Sequence, residues 1–114
     1  MVKISTSIEN HIITLAIDGE IDASSSIELD SALGKALEQA EQRVFIDGSN
    51  LHYISSAGLG VFMSYLEDIK KRQIDLVIFG LTEKVHNVFG ILGLDQLLVI
   101  VNTIDDARKL MNDK

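Results

Sequence analysis

Val2, Ile4, Thr6 and Ile8 alternate with polar residues, the period-two pattern of a strand buried on one face. Glu9 to His11 reads as a turn. Ile12 to Ile17 reads as a second strand with Ile13, Leu15 and Ile17 on one side, so the two predict a hairpin. Asp18 to Asp22 reads as a loop. Ser25 and Glu28 stand in capping-box spacing, and Leu29, Leu33, Ala36, Leu37 and Ala40 follow as one helical stripe. Val44 to Ile46 reads as a short buried strand closed by Asp47-Gly48, and Leu51 to Ser55 as a loop. A helix is expected from about Ser56 to Arg72, burying Leu59, Phe62, Leu66 and Ile69. The apolar run Leu76 to Phe79 predicts a strand covered on both faces. Thr82 can cap a helix with Val85, Val88, Phe89 and Leu92 inward. Leu97 to Val101 reads as another buried strand. Thr103 and Asp106 open a last helix carrying Ile104, Ala107, Leu110 and Met111. The order β-β-α-β-α-β-α-β-α predicts an α/β fold with parallel pairing and right-handed crossovers.

Composition narrows the function. A chain of 114 residues suits one domain, and 46% hydrophobic with 24% charged residues is enough for a real core. Ten basic against 17 acidic residues give a net charge of −7, which argues against nucleic acid and against an anionic membrane surface. The absence of cysteine excludes disulfides, thiol catalysis and zinc–thiolate sites. Residues 1–9 lack the continuous apolar core of a signal peptide, and no apolar run approaches the ~20 residues of a membrane span. A cytoplasmic protein is expected.

The candidate chemistry lies between Asp47 and Gly60. A strand ends in an acid, a short loop follows, and Ser55 and Ser56 open a helix with two early glycines, Gly58 and Gly60. Glycine costs ~1 kcal/mol in a helix interior relative to alanine, so both positions need a reason. Bare backbone there would let a protein surface or a nearby element approach closely. A serine at a helix start sits where amides and dipole favour negative charge, so a phosphate on Ser56 could be held without breaking the fold. Spacing alone leaves open that Ser55 or Ser56 is simply a cap. His11, His52 and His86 have no metal-ligand spacing, and Asp18, Glu20 and Asp22 read first as a solvated acidic loop. No phosphate-binding Gly-Lys-Ser/Thr loop and no nucleophile elbow appear. Gly90 and Gly93 read equally as close packing or as part of a partner surface.

The segment Val44 to Phe62 resembles the signature of the STAS domain, the sulfate-transporter and anti-sigma-factor antagonist family. The match runs through Asp47, Ser49, Leu51 and Tyr53 to Ser55-Ser56-Ala57-Gly58-Leu59-Gly60. Gly19-Glu20-Ile21-Asp22 resembles the family's Gly-Glu-Leu-Asp loop, and Leu81 through Gly93-Leu94-Asp95 to Asp106-Ala107 resembles its C-terminal half. Ser55 stands where the family usually has an acid, and Ala57 where it has Ser or Thr. The resemblance implies a single STAS domain over residues 1–114, with a mixed sheet of hairpin plus parallel strands under about four helices. It implies phosphorylation on Ser56, a register fixed by Gly58-Leu59-Gly60. The implied partner surface comprises Asp22, Ser55, Ser56, Ala57, Gly58, Gly60 and Met63. The implied partners are an anti-sigma factor or related serine kinase and a serine phosphatase, with no cofactor, no metal and no catalysis by the chain itself. Asp22, as a loop acid, is expected to contribute little to folding. The alternative is a small cytoplasmic STAS subunit of a lipid or anion transport complex.

Overall fold

The computed structural model describes residues 2–40 and 42–112. Among these residues the order is β1 (Val2–Glu9), β2 (Ile12–Ile21), α1 (Ser26–Gln39), β3 (Arg43–Ile54), α2 (Ser56–Lys71), β4 (Asp75–Phe79), α3 (Glu83–Ile91), α4 (Leu94–Leu97), β5 (Val99–Val101) and α5 (Ile104–Asn112). The sheet runs β1-β2-β3-β4-β5, with every strand beside its neighbour in the chain. β1 and β2 form the expected antiparallel hairpin, and the other pairings are parallel.

Alternation divides the core between the two faces of the sheet. Val44, Ile46, Leu76 and Ile78 point to one face, where they pack with Leu15, Leu33, Phe62 and Phe89 under α1 to α4. Phe45, Val77 and Phe79 point to the other, against Ala107 and Met111 of α5. Edge-to-face packing of Phe45 on Phe79 and a tilted Phe62–Phe89 contact fill the two centres, at centroid distances of 6.1 and 5.7 Å.

Four expectations are corrected. β2 runs on through the expected Asp18–Asp22 loop to Ile21, and β3 runs on through Asp47-Gly48 to Ile54. The Asp-Gly signal marks a bulge instead of a turn: Ala16 pairs with Asp47 but Asp18 with Asn50, and a second shift follows between Gly19 and Glu20. Each shift inserts one residue into β3, which bends without ending. At the other end, Leu94–Leu97 is a short helix, so β5 begins only at Val99 and Leu97 is 62% exposed. Leu92, expected inward, is 49% exposed, because α3 ends at Ile91 and the chain turns at Gly93 with φ 74°.

Candidate phosphorylation and docking site

Ile21 and Ile54 are paired at the ends of adjacent parallel strands. The Ser55 amide donates to the Ile21 carbonyl at 2.8 Å, extending the ladder by one bond before the chain turns into α2. Asp22 and Ser55 therefore leave neighbouring strand ends side by side. This register brings the two separate motifs of the sequence to one place.

The two serines have different positions. Ser55 is the N-cap, in extended backbone, with its Oγ accepting from the Gly58 amide at 3.2 Å. Ser56 is the first helical residue. It is exposed, and its hydroxyl makes no hydrogen bond among the described residues. α2 has no acidic residue in its first turn, whereas α1, α3 and α5 carry Glu28, Glu83 and the pair Asp105 and Asp106 there. The positive end of a 16-residue helix thus stands uncompensated beside an unbonded hydroxyl.

Asp22 is not a free loop acid. Its Oδ1 accepts from the Ser25 amide at 2.8 Å and from the hydroxyls of Ser24 and Ser25, each at 2.9 Å. These bonds, the Ser25 amide first, hold its carboxyl down at about 2. The Ser25 Oγ in turn accepts from the Asp22 amide at 2.8 Å. The expected Ser25–Glu28 capping box is absent, since Ser25 has helical backbone and its hydroxyl makes no cap bond. Asp22 instead satisfies an amide at the head of α1. The expectation that it contributes little to folding is corrected accordingly. The run Ser24-Ser25-Ser26 directly after an aspartate is the sequence signal that could have found this cluster.

The two glycines also divide. Gly58 is buried, and a Cβ there would lie 2.6 Å from Ile21 Cγ2 and 2.7 Å from Ile54 Cγ1. Its bareness lets the helix descend onto the two strand ends. At Gly60 a Cβ would meet nothing within 4 Å. Ser56, Gly60 and Met63 follow at i, i+4 and i+7, one outer face of α2, with Ala57 exposed beside them and Met63 47% exposed. A shallow groove runs between this face and α1, lined by Ile27, Asp30, Ala57, Gly60, Val61 and Ser64. Ile27, 73% exposed, carries no signal in the sequence because it lies outside the buried stripe of its helix.

His11, His52 and His86 stay apart, and no group of three or more metal-binding side chains forms among the described residues. No helix among them is long and apolar enough to cross a membrane.

Comparison with known proteins gives the family and the fold. The STAS domain family model matches residues 3–107. The anti-sigma-B factor antagonist of Listeria monocytogenes is 34% identical over 92 residues, 79% of each chain. A crystal structure of an anti-sigma factor antagonist from Mycobacterium paratuberculosis superposes with a TM-score of 0.87 at 20% identity, covering 96% of this chain and 93% of that one. The Bacillus cell fate determinant SpoIIAA in its phosphorylated form has the same fold, with a TM-score of 0.68 at 13% identity over 96% and 99% of the two chains.

Proposed function

The chain belongs to the STAS domain family and is an anti-sigma-factor antagonist, and from that premise we propose that it works as a phosphorylation-controlled partner switch centred on Ser56. The observation that carries the proposal is the exposed, unbonded Ser56 hydroxyl at the uncompensated head of α2, beside Asp22. In the unphosphorylated state an anti-sigma factor of the serine-kinase class docks on the face formed by Ser56, Ala57, Gly60 and Met63. Asp22 and Ser55 flank it, and Gly58 sets the height of the helix. Transfer of the γ-phosphoryl group of ATP to Ser56 Oγ releases ADP and places about −1.5 to −2 charges on that face. The fold tolerates them because the dipole and the first-turn amides of α2 offset part of the charge. The complex does not, because an unpaired buried charge costs several kcal/mol and each 1.4 kcal/mol is tenfold in affinity. A serine phosphatase resets the switch. The chain is a substrate and binding module of the cytoplasm and catalyses nothing itself. The match to a curated antagonist favours this over a transport-complex subunit.

The test is phosphorylation by the cognate kinase with ATP, site mapping by peptide mass spectrometry, and titration of the anti-sigma factor against both forms. Phosphate on Ser56 with Kd raised tenfold or more is expected. Phosphate on Ser55 or Ser49, or an unchanged Kd, overturns the proposal.

A further inference from the structure

Among the described residues β1 is an open edge of the sheet, paired with β2 alone. Its eight residues run in continuous register, with no bulge to twist the edge away. The chain has no proline to block it. Natural sheets guard such edges with exactly these devices plus charge, and here only Lys3 and Glu9 are charged. The hairpin turn is Asn10-His11, both with positive φ, closing on the Glu9–Ile12 pair. A two-residue turn of this kind makes its flanking pair a hydrogen-bonded one, and the pairs alternate from there. Lys3, Ser5, Ser7 and Glu9 therefore bond inward to β2. Ile4, Thr6 and Ile8 aim their backbone groups outward.

The sequence of this edge reads Lys3-Ile4-Ser5-Thr6-Ser7-Ile8-Glu9, the same in both directions apart from opposite charges at its ends. We infer that β1 pairs antiparallel with β1 of a second copy about a two-fold axis at Thr6, joining two five-stranded sheets into one of ten. Thr6 then faces Thr6, Ile4 faces Ile8, Ser5 faces Ser7 and Lys3 faces Glu9 on the other copy. The register satisfies two independent conditions. It matches outward-bonding residues only with one another, and it sets each charge against its opposite. Cross-strand opposites lie close enough for such pairs to act. The apolar surface agrees: Ile8 is 66% exposed on this edge, and the β1–α1 groove beside it is lined by Ile4, Thr6, Ile27, Ala32 and Ala36. That groove also carries Glu28 and Lys35, seven residues apart on α1, which the same axis exchanges end for end. α1 packs on both β1 and α2, so it stands between the joined edges and the Ser56 face, with Ile27 at the border of the two grooves.

Sedimentation equilibrium of the full chain should give twice the mass of one chain. Lys3→Glu and Glu9→Lys should each raise the dimer Kd roughly tenfold, because the symmetric interface contains the contact twice. The double exchange should restore it. Lys3 also faces Asp18 within the hairpin, so a loosened β1 could mimic the Lys3→Glu result. Thr6→Cys settles the register without a charge change, in a chain that has no other cysteine. Oxidation should link two copies through Cys at the axis, where paired Cα atoms come within the ~4.4–6.8 Å of a disulfide. Ile8→Cys, about 13 Å from its own mate in this register, should not link. A single-chain mass at all concentrations, failure of the double exchange to recover dimer, or equal linking at positions 6 and 8 overturns the inference.

Discussion

Ser55 and Ser56 are chemically identical neighbours separated by one backbone torsion. Ser55 in extended backbone turns its oxygen onto the Gly58 amide, whereas Ser56 has entered the helix and turns its own to solvent. Ser55→Ala should therefore lower stability by about 0.5–2 kcal/mol in urea melts and leave the phosphate acceptor in place. Ser56→Ala should melt within about 0.5 kcal/mol of the parent and accept no phosphate. Asp22 gives a pH signature. Its carboxyl titrates at about 2 in the fold against an ordinary 3.8, so the ionised form is the one the fold prefers. Its contribution is fully present above the ordinary value and is lost as pH falls through about 4 to 2. Asp22→Ala should be less stable at neutral pH and show a flatter decline over that window, read by urea midpoints at each pH. The motif register singled out Ser56, which the structure places exposed at the head of α2. The hold on Asp22 was not legible in the sequence, because a capping spacing at Ser25 and Glu28 competed with a tighter arrangement one turn earlier, and local spacing does not rank the two.

At the scale of elements, α2 is positioned by what it lacks. Gly58→Ala would press a methyl group onto Ile21 and Ile54, and overpacking of this kind costs about 1–3 kcal/mol. Gly60→Ala meets open space and replaces a poor helix former, so it should melt as high as the parent or gain up to about 1 kcal/mol. Gly60→Trp should likewise fold yet bind the anti-sigma factor at least tenfold more weakly, as seen by calorimetry, since it raises bulk on the docking face. Tyr65 ties α2 to α1 by donating to Asp30 Oδ1 at 2.7 Å, and that bond to a carboxylate lifts its hydroxyl to about 12. The contribution is present below about 10 and fades as pH rises toward 12, so Tyr65→Phe should lose part of the parent's alkaline decline in thermal melts. Helix positions were readable because Leu29, Leu33, Leu59 and Phe62 recur at helical period and are buried. The ends of β2 and β3 were not. Gly19, Gly48 and the nearby acids carry turn chemistry, while pairing across two bulges overrides it.

Over the whole molecule, the site and α5 lie on opposite faces of one sheet. A charge placed at Ser56 acts on the ends of β2 and β3 and the head of α2, with the breadth of the sheet between it and Phe45, Val77 and Phe79. Amide NMR of Ser56→Asp should accordingly show shifts around Asp22 and Ser55 to Gly60 and leave Val99 to Val101 and α5 unmoved. Shifts spread across β5 would reveal a global rearrangement. The strand order carries a consequence for how the chain is made. Because each strand lies beside the one synthesised just before it, no strand needs to wait for a distant partner or be inserted between two already joined. Each parallel addition still closes a crossover of about 20 to 30 residues, so the entropic cost of closure falls on the crossovers and the hairpin is the cheapest pairing to form. The hairpin and α1 can form a platform while later residues are still being translated, and each following strand extends it by one place. The Ser56 face then takes shape before β4 and β5 are added, once α2 has settled on Ile21 and Ile54. α5 follows β5 in the chain, so Phe45, Val77 and Phe79 stay uncovered until it has formed.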